Sequence, residues 1–331
     1  MRRVPTRWRL LILLAAGVSA VRGAKTLDLY FIDVEGGQAT LVVGPSGQSL
    51  LIDTGYTGFG GRDTVRIAAA AKDAGVKRID TLLITHFHDD HVGGVANLLD
   101  RLPVTTFLDH GPSIETKDYP NPYSAAFAKG QHKTVAAGDK IAIKDLDVTV
   151  VAAAGKTIVA KGEANPNCAG IAERQSADEA GENSQSVGVV ITFGKFRFAD
   201  LGDLTWNKEL ALLCPENKVG KVDLYLTTHH GGESPKAIWG MTPRVAVMNN
   251  GPTKGADPVG WKNVMASPGL EDLWQLHFAL AGGKETNVPD TFIVNVNAND
   301  QGQHLKVSAL ADGSFTVTNP RNKFSKTYFV K

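Results

Sequence analysis

The stretch IDTLLITHFHDDHVGG, residues 79–94, changes abruptly from an apolar run into histidines and aspartates. Residues 79–85 have the length and apolar character of a buried strand, and residues 92–100 resume the pattern of a short helix. The ionisable side chains of residues 86–91 therefore follow the carboxyl end of a strand. Because α/β folds place their functional sites at such strand ends, this stretch constrains both the fold and the site.

Strand and helix patterns recur on both sides of this stretch, separated by glycine-containing turns. The predicted strands are 27–34, 39–44, 49–55, 79–85, 186–194, 195–203, 221–230 and 244–249, with closing strands after about residue 290; the predicted helices are 64–75, 92–100, 205–214 and 270–280. Strands, helices and strands again in each half predict an α/β fold in which two sheets pack together with helices outside.

Residues 111–182 have a less regular pattern than the flanking segments. They contain a predicted strand pair near 140–153 and then a polar stretch that is rich in small residues. A chain of 331 residues can form one large domain or two. We predict a single hydrolase-type domain over residues 21–331, with a long, partly ordered insertion near 111–182.

The first twenty residues, MRRVPTRWRLLILLAAGVSA, have a basic start, an apolar run over 10–16 and small residues at Val18 and Ala20. This layout is typical of a secretory signal peptide that is cleaved after Ala20. The apolar run is too short to cross a bilayer core of roughly 30 Å. We therefore expect a secreted or periplasmic protein without a transmembrane segment in the mature chain; an uncleaved N-terminal anchor is the alternative.

The charge balance argues against a nucleic-acid-binding surface. Removing residues 1–20 takes away four arginines and no acidic residue, which turns the formal net charge of +1 into −3. Proteins that hold nucleic acid by neutralising phosphates are usually basic. The two cysteines, Cys168 and Cys214, form either a disulfide or two separate thiols. Because the chain has no CxxC spacing, any metal site must use histidine and carboxylate ligands.

The segment 86–91 has the pattern H-x-H-x-D-H. Neutral imidazole and carboxylate are ligands suited to Zn²⁺, Mn²⁺ or Fe²⁺. A turn that leaves a strand can direct His86 and His88 to one ion while Asp90 and His91 reach a second. Four such side chains crowded at a strand end would be costly without a cation. The pattern therefore predicts a metal site.

These residues resemble the metallo-β-lactamase superfamily. LLIDTG is similar to its first motif, LITHFHDDHVGG to its second, FRFADLGDLT to its fourth and LYLTTHHGG to its fifth. The resemblance implies a four-layer αββα sandwich of two mixed sheets and two divalent ions, with zinc expected and manganese or iron as alternatives. It further implies that Asp53 supports the ligands, Asp203 bridges the metals, and His229 or His230 completes the second site.

A narrower resemblance is to the metallo-hydrolase domain of the DNA-internalisation competence (ComEC-type) proteins, which is similar in the segments 31–55 and 182–203 and in the paired histidines. Many superfamily members supply a third histidine to the first metal, where this chain has GENSQSVG with Asn183. The competence-type domains share this departure. His110, at a predicted strand end, either compensates for the missing ligand or is an ordinary loop histidine.

Three further segments carry candidate residues. Asn249 and Asn250 lie in a loop rich in turn formers and either hold substrate oxygen atoms or stabilise the loop. Lys254, in the same loop, is an anion ligand or, by default, an exposed lysine. His277 has helical-face spacing from Leu273 and Trp274, which favours a core histidine over a ligand.

Two divalent ions can share a hydroxide that attacks an electrophile, and one of the paired histidines can protonate the leaving oxygen. The sequence therefore predicts an exported binuclear hydrolase with Asp90, Asp203, His229 and His230 as its catalytic groups. The expected substrate is a phosphodiester, either nucleic acid or a small molecule. The alternatives are a lactonase or β-lactamase-like hydrolase and a non-catalytic metal-binding component, because this fold alone does not select the substrate.

Overall fold

The computed structural model describes residues 25–297 and 301–330, so the predicted signal peptide at 1–20 lies outside the described residues. The strands are β1 (Leu27–Phe31), β2 (Thr40–Val43), β3 (Ser49–Ile52), β4 (Ile79–Leu83), β5 (Val104–Asp109), β6 (Gln131–Thr134), β7 (Lys140–Ile141), β8 (Asp147–Ala153), β9 (Lys156–Thr157), β10 (Glu163–Ala164), β11 (Gly188–Phe193), β12 (Phe196–Asp200), β13 (Glu216–Asn217), β14 (Leu224–Leu226), β15 (Val245–Met248), β16 (Asp272–His277), β17 (Ile293–Asn295), β18 (Leu305–Ala309), β19 (Phe315–Asn319) and β20 (Phe324–Tyr328). The helices are α1 (Arg62–Asp73), α2 (Asp89–Val92), α3 (Val95–Leu99), α4 (Asn121–Phe127), α5 (Trp206–Leu213) and α6 (Pro258–Met265).

The strands form two mixed sheets. The first has the order β20-β19-β18-β1-β2-β3-β4-β5-β6, and its strands β3 to β6 run parallel. The second has the order β17-β16-β15-β14-β12-β11-β8-β7, with β9 beside β8, and its strands β12, β14, β15, β16 and β17 run parallel. Because these strands are parallel, their carboxyl ends lie at the same edge of each sheet. The polar motifs follow those ends and therefore lie at that edge.

The two sheets pack face to face over a shared apolar core. Phe31 of the first sheet meets Phe198 of the second with ring centroids 5.6 Å apart, and both are buried in one cluster with Trp274. Separate apolar clusters lie under α1, α3 and α4 on one outer face and under α5 and α6 on the other. The predicted four-layer αββα sandwich is confirmed.

One predicted element has the wrong type. Residues 270–280 were expected to form a helix, but Asp272–His277 form β16, between β15 and β17. An interior strand of a parallel sheet is buried on both faces, so its sequence lacks the alternation that marks a strand. His277 is buried, as predicted, and its Nε2 lies 3.1 Å from Asp33 Oδ2.

The insertion expected near 111–182 is shorter than predicted. Within that range β6 is the edge of the first sheet, and β7 and β8 belong to the second. The connection outside the two large sheets runs over about 158–187, where the short pair β10–β13 and a disulfide between Cys168 and Cys214 attach it to the segment after α5. The cysteine pair is therefore bridged. Within the described part of the chain, no helix has the length and apolarity needed to cross a membrane.

Candidate metal centre

The site lies where strand ends of the two sheets meet. Asp53 directly follows β3, and the segment from Thr85 to α2 follows β4. From the second sheet, Asp203 follows β12, a short 3₁₀ turn over Thr228–Gly231 follows β14, and Asn249 follows β15. The chain can approach closely here because Gly94 has no side chain: a Cβ on it would lie 2.2 Å from the Thr54 carbonyl oxygen.

Four of the predicted ligands converge into what we call the four-residue cluster, Asp90, His91, Asp203 and His230, whose ligand atoms all lie within 4.8 Å of one another. His91 Nε2 is 3.2 Å from Asp203 Oδ2 and 3.3 Å from Asp90 Oδ2. His230 Nε2 is 3.2 Å and 3.1 Å from the same two oxygens. All four side chains are buried, so the cluster is shielded from bulk water.

The cluster fits a divalent cation. The Nε2 atoms of His91 and His230 face each other at 3.3 Å, between two carboxylate oxygens. Asp203 Oδ1 is buried and has no hydrogen-bond partner among the described residues, an arrangement that is costly unless a cation compensates it. Two imidazoles and two carboxylates form a donor set suited to zinc, manganese or iron.

Asp53 orients the ring of His91. Its Oδ2 lies 2.7 Å from His91 Nδ1, so the ring donates its Nδ1–H to the carboxylate and leaves the Nε2 lone pair for a metal. Asp53 is itself fixed by the Thr85 backbone N–H and by the Thr85 hydroxyl, each 2.7 Å from one of its oxygens. The hydrogen bond to His91 is the contact that the supporting role predicted for Asp53 requires, and the role itself stays a prediction.

Asn249 has the equivalent position beside His230. Its amide nitrogen Nδ2 lies 3.1 Å from His230 Nδ1, and its Oδ1 has no partner among the described residues. Rotating this amide by 180° brings the unpartnered Oδ1 to the ring instead; His230 then donates its Nδ1–H and keeps the Nε2 lone pair for a metal. His229 and His230 both have left-handed backbone, with φ of 52° and 56°, and this tight turn directs the two rings differently.

The charges in the cluster shift the pKa values of its members. Burial alone would lower the pKa of His91, but the carboxylates of Asp203, Asp53 and Asp90 raise it well above its ordinary value. Burial would raise the pKa of Asp203, but His230 and His91 hold it well below its usual range. In the absence of a metal, the positive charge of protonated imidazoles thus balances the negative charge of the carboxylates. A bound cation would supply that positive charge instead.

His86 and His88 form a second, poorer group, which we call the histidine pair. His86 Nε2 and His88 Nδ1 are 3.1 Å apart. His86 is fully buried, and burial together with neighbouring His91 lowers its pKa well below the ordinary value. His88 is 39% exposed. Asn183, which stands where many relatives have a third histidine, donates to Asp178 while its Oδ1 has no partner among the described residues.

Three other predicted residues have different surroundings. His229 lies outside the four-residue cluster: its side chain is 42% exposed, with Nε2 3.6 Å from Asp203 Oδ2. His110 does not join the ligands, because its Nε2 is bonded to Glu182 at 2.9 Å. Asn250 does not face the ligands either; it donates to the carbonyls of Gly251 and His277 and stabilises the loop.

Several supporting contacts around the ligands could not be predicted from the sequence. Glu182 accepts from the backbone N–H of Phe87 (3.3 Å), between His86 and His88, and also from the Ser113 hydroxyl (3.0 Å). Ser186 lies 3.4 Å from His86 Nδ1 and accepts from the Asp203 backbone N–H. Lys254 is not a free surface lysine, because its ammonium group donates to Asp90. A lone Glu, Ser or Lys remote from the motif carries no spacing signal, so only the packing reveals these contacts.

Residues 32–160 match the family model described as the metallo-beta-lactamase superfamily. This match covers less than half of the chain, and the two mixed sheets with outer helices are the metallo-β-lactamase fold. The match over 32–160 supports the broad resemblance seen in the sequence, whereas the narrower resemblance to competence-type domains stays a prediction.

Curated relatives align with a short part of the chain. A hydroxyacylglutathione hydrolase from Erwinia tasmaniensis is 40% identical over 77 residues, which are 23% of this chain and 26% of that protein. Another from Idiomarina loihiensis is 30% identical over 82 residues, 25% of this chain and 27% of the relative. The alignments thus span about a quarter of each relative's length.

Solved structures are similar over more of the chain. The metallo-beta-lactamase fold protein YhfI from Bacillus subtilis covers 85% of this chain and 99% of its own, at 10% identity and a TM-score of 0.47. Zn²⁺-bound PqqB from Methylobacterium extorquens covers 77% and 98%, at 15% identity and a TM-score of 0.46.

Proposed function

We propose that the protein is a hydrolase that binds two divalent metal ions, with zinc expected, and cleaves a phosphodiester. The observation that carries the proposal is the convergence of Asp90, His91, Asp203 and His230 from both sheets around an unpartnered carboxylate oxygen. A non-catalytic component would be free to lose one of these ligands, yet the set is intact and each imidazole has an orienting partner.

The position of each residue indicates its proposed role in binding metal or in catalysis. Asp90, His91, Asp203 and His230 would hold one cation, and His86 and His88 with Asp203 would hold the other. Bound divalent metal supplies a hydroxide at neutral pH and polarises the oxygen of the substrate. His229, which is exposed beside Asp203, would give a proton to the leaving oxygen. Asp53 and Asn249 keep the two imidazoles in the ligating orientation.

An open cavity of about 500 Å³ gives access to this centre and is lined by His229, His230 and Lys254 among others. The cavity is large enough for a small diester or for the end of a longer chain. The ammonium group at its wall and the absence of a third histidine at the histidine pair favour a phosphodiester over a neutral lactone or lactam. The predicted signal peptide supports the further proposal that the enzyme acts outside the cytoplasm.

Thioester hydrolysis is the second candidate. It is favoured by one observation, the 40% identity over 77 residues to a hydroxyacylglutathione hydrolase. The aligned segment is short, so the relatives' activity is carried to this chain only as an alternative. The chemistry that divalent metal would supply at these residues suits a thioester carbonyl as well as a phosphorus centre, so the substrate must be decided by assay.

The test is a substrate screen with purified residues 21–331. The protein is loaded with zinc or manganese, its metal content is measured, and it is assayed with bis(p-nitrophenyl) phosphate, single-stranded DNA, a hydroxyacyl-glutathione thioester, a lactone and a cephalosporin. We expect two metals per chain and the highest kcat/KM with a phosphodiester. Higher activity with the thioester would select the second candidate, and a metal-loaded protein that turns over none of these would contradict the proposal.

A further inference from the structure

Lys254 lies in the loop after β15 and is held against both halves of the molecule. The Gly251 N–H donates to the Lys254 carbonyl at 2.8 Å, which closes a turn, and the Ala256 N–H donates to the His230 carbonyl at 2.8 Å. On the other side the loop touches the segment after β1, where a Cβ on Gly36 would lie 2.7 Å from Lys254 Cβ. The position of this lysine is therefore set by the fold rather than by a free surface loop.

The ammonium group of Lys254 stands between the metal ligands and the cavity. It donates to Asp90 Oδ2, the oxygen that also faces His91 and His230, and it lies 5.5 Å from the ring centroid of Tyr56. The side chain is 41% exposed and contributes to the wall of the cavity beside His229. One face of the ammonium group is thus bonded to protein while another remains open to a ligand.

The other charged groups at this cavity are already engaged. Glu233 forms an ion pair of 2.8 Å with Arg174, and Asp257 accepts from the Val259 N–H at the start of α6. Among the described residues that line the cavity, Lys254 is the one lysine or arginine. A metal cation bound to Asp90 would neutralise the carboxylate that now pairs with Lys254. The ammonium group of Lys254 would then be available to another anion.

We propose that Lys254 is a substrate-binding residue that recognises a negatively charged oxygen of the substrate beside the metal centre. The inference rests on the proposed function and deepens it, because it assigns the substrate to the anionic esters. The ligand chemistry is an oxygen anion next to the reacting bond, such as a non-bridging phosphate oxygen or a carboxylate. A charge-assisted hydrogen bond of this kind is stronger than a neutral one and fixes orientation.

The competing explanation is that Lys254 only orients Asp90 as a ligand, and a phosphate-binding experiment separates the two. Inorganic phosphate is titrated calorimetrically into the zinc-loaded protein at low ionic strength, and metal content is measured on the same samples. Lys254→Met should weaken phosphate binding about tenfold or more while two metals remain bound. Lys254→Arg should recover most of the affinity. Lys262→Met, which removes an exposed lysine, is the charge-matched control and should behave as the wild type.

Three results would overturn the proposal: wild-type phosphate affinity in Lys254→Met, loss of metal from that variant, or a metal-loaded wild type that binds no phosphate. The binding assay is independent of turnover. Phosphate bound through Lys254 by a protein that hydrolyses nothing would refute the proposed function and leave this inference standing. Where turnover is found, Lys254→Met should raise KM for the phosphodiester more than it lowers kcat.

Discussion

The four-residue cluster and the histidine pair start from the same six residues, 86–91, and differ in what the second sheet gives them. The cluster receives Asp203 and His230 and becomes a buried set of four ligand atoms within 4.8 Å. The histidine pair has no such carboxylate or imidazole of its own from the second sheet among the described contacts: Asn183 is neutral and donates to Asp178, and His88 stays 39% exposed. The difference teaches that the local motif supplies half of each site, and that the opposite sheet determines how complete each becomes.

The largest effect should follow from removing Asp203, which we propose as a ligand of both metal sites. Asp203→Asn keeps the shape of the side chain but removes its charge and one anionic donor. We expect lower metal content and a loss of hydrolysis of at least roughly 10²-fold. Metal analysis and kcat/KM are the measurements, with the exposed Asp118→Asn as the matched control. A folded Asp203 variant with two metals and wild-type rates would refute the assignment of the whole centre.

Single ligand deletions should then separate the two groups. His230→Ala removes a ligand of the four-residue cluster and should weaken the tighter of two metal-binding steps by at least about tenfold. His88→Ala should leave that step unchanged and weaken the other. Zinc titration against a competing chelator resolves the two steps. If both variants affect the same step equally, the division into a strong and a weak site is wrong.

A substitution that adds a ligand to the histidine pair tests the difference between the two groups with a smaller expected effect. Asn183→His places an imidazole where many members of the superfamily have one, so it should tighten the weaker zinc step by about tenfold. Asn183→Ala is the control and should not tighten it. Unchanged zinc affinity in the histidine variant would show that the side chain of residue 183 does not reach the histidine pair.

The smallest expected effect is a pH dependence of the free energy of unfolding that arises from Glu209, which lies beside the second sheet. Burial raises the pKa of Glu209 to about 8, and its Oε1 accepts from the Ser234 hydroxyl at 3.1 Å, near the turn that carries His230. The folded protein thus keeps a proton that the unfolded chain releases above roughly pH 4.3. The contribution of Glu209 to the free energy of unfolding should therefore decline as the pH rises from about 4 to about 8.

Thermal unfolding of the chelated protein between pH 5 and pH 8 measures this decline. Glu209→Gln keeps the hydrogen-bonding shape without the titratable proton, so its Tm should fall less over the same range than that of the wild type. Identical slopes would show that Glu209 ionises in the folded protein as it does in the unfolded chain.

The sequence by itself determined the parts of the site that lie within one turn of chain. The spacing of His86, His88, Asp90 and His91 after an apolar strand fixes their common location, because three to six residues of backbone cannot separate them widely. The alternating and apolar runs likewise located most strands of both sheets. The signal failed at β16, whose burial on two faces removes the alternation on which strand prediction depends.

The tertiary structure decided what depends on residues that are distant in the chain. His230, and not His229, lies in the four-residue cluster. Asn249 contacts the imidazole of His230, whereas Asn250 donates to backbone carbonyls. Cys168 and Cys214 form a disulfide. The tertiary structure also turned Lys254 from a surface lysine into a partner of Asp90, 164 residues away. The physical reason is that neighbouring histidines, asparagines or lysines are chemically alike in sequence, and only the packing of one sheet edge against the other gives each a different surrounding.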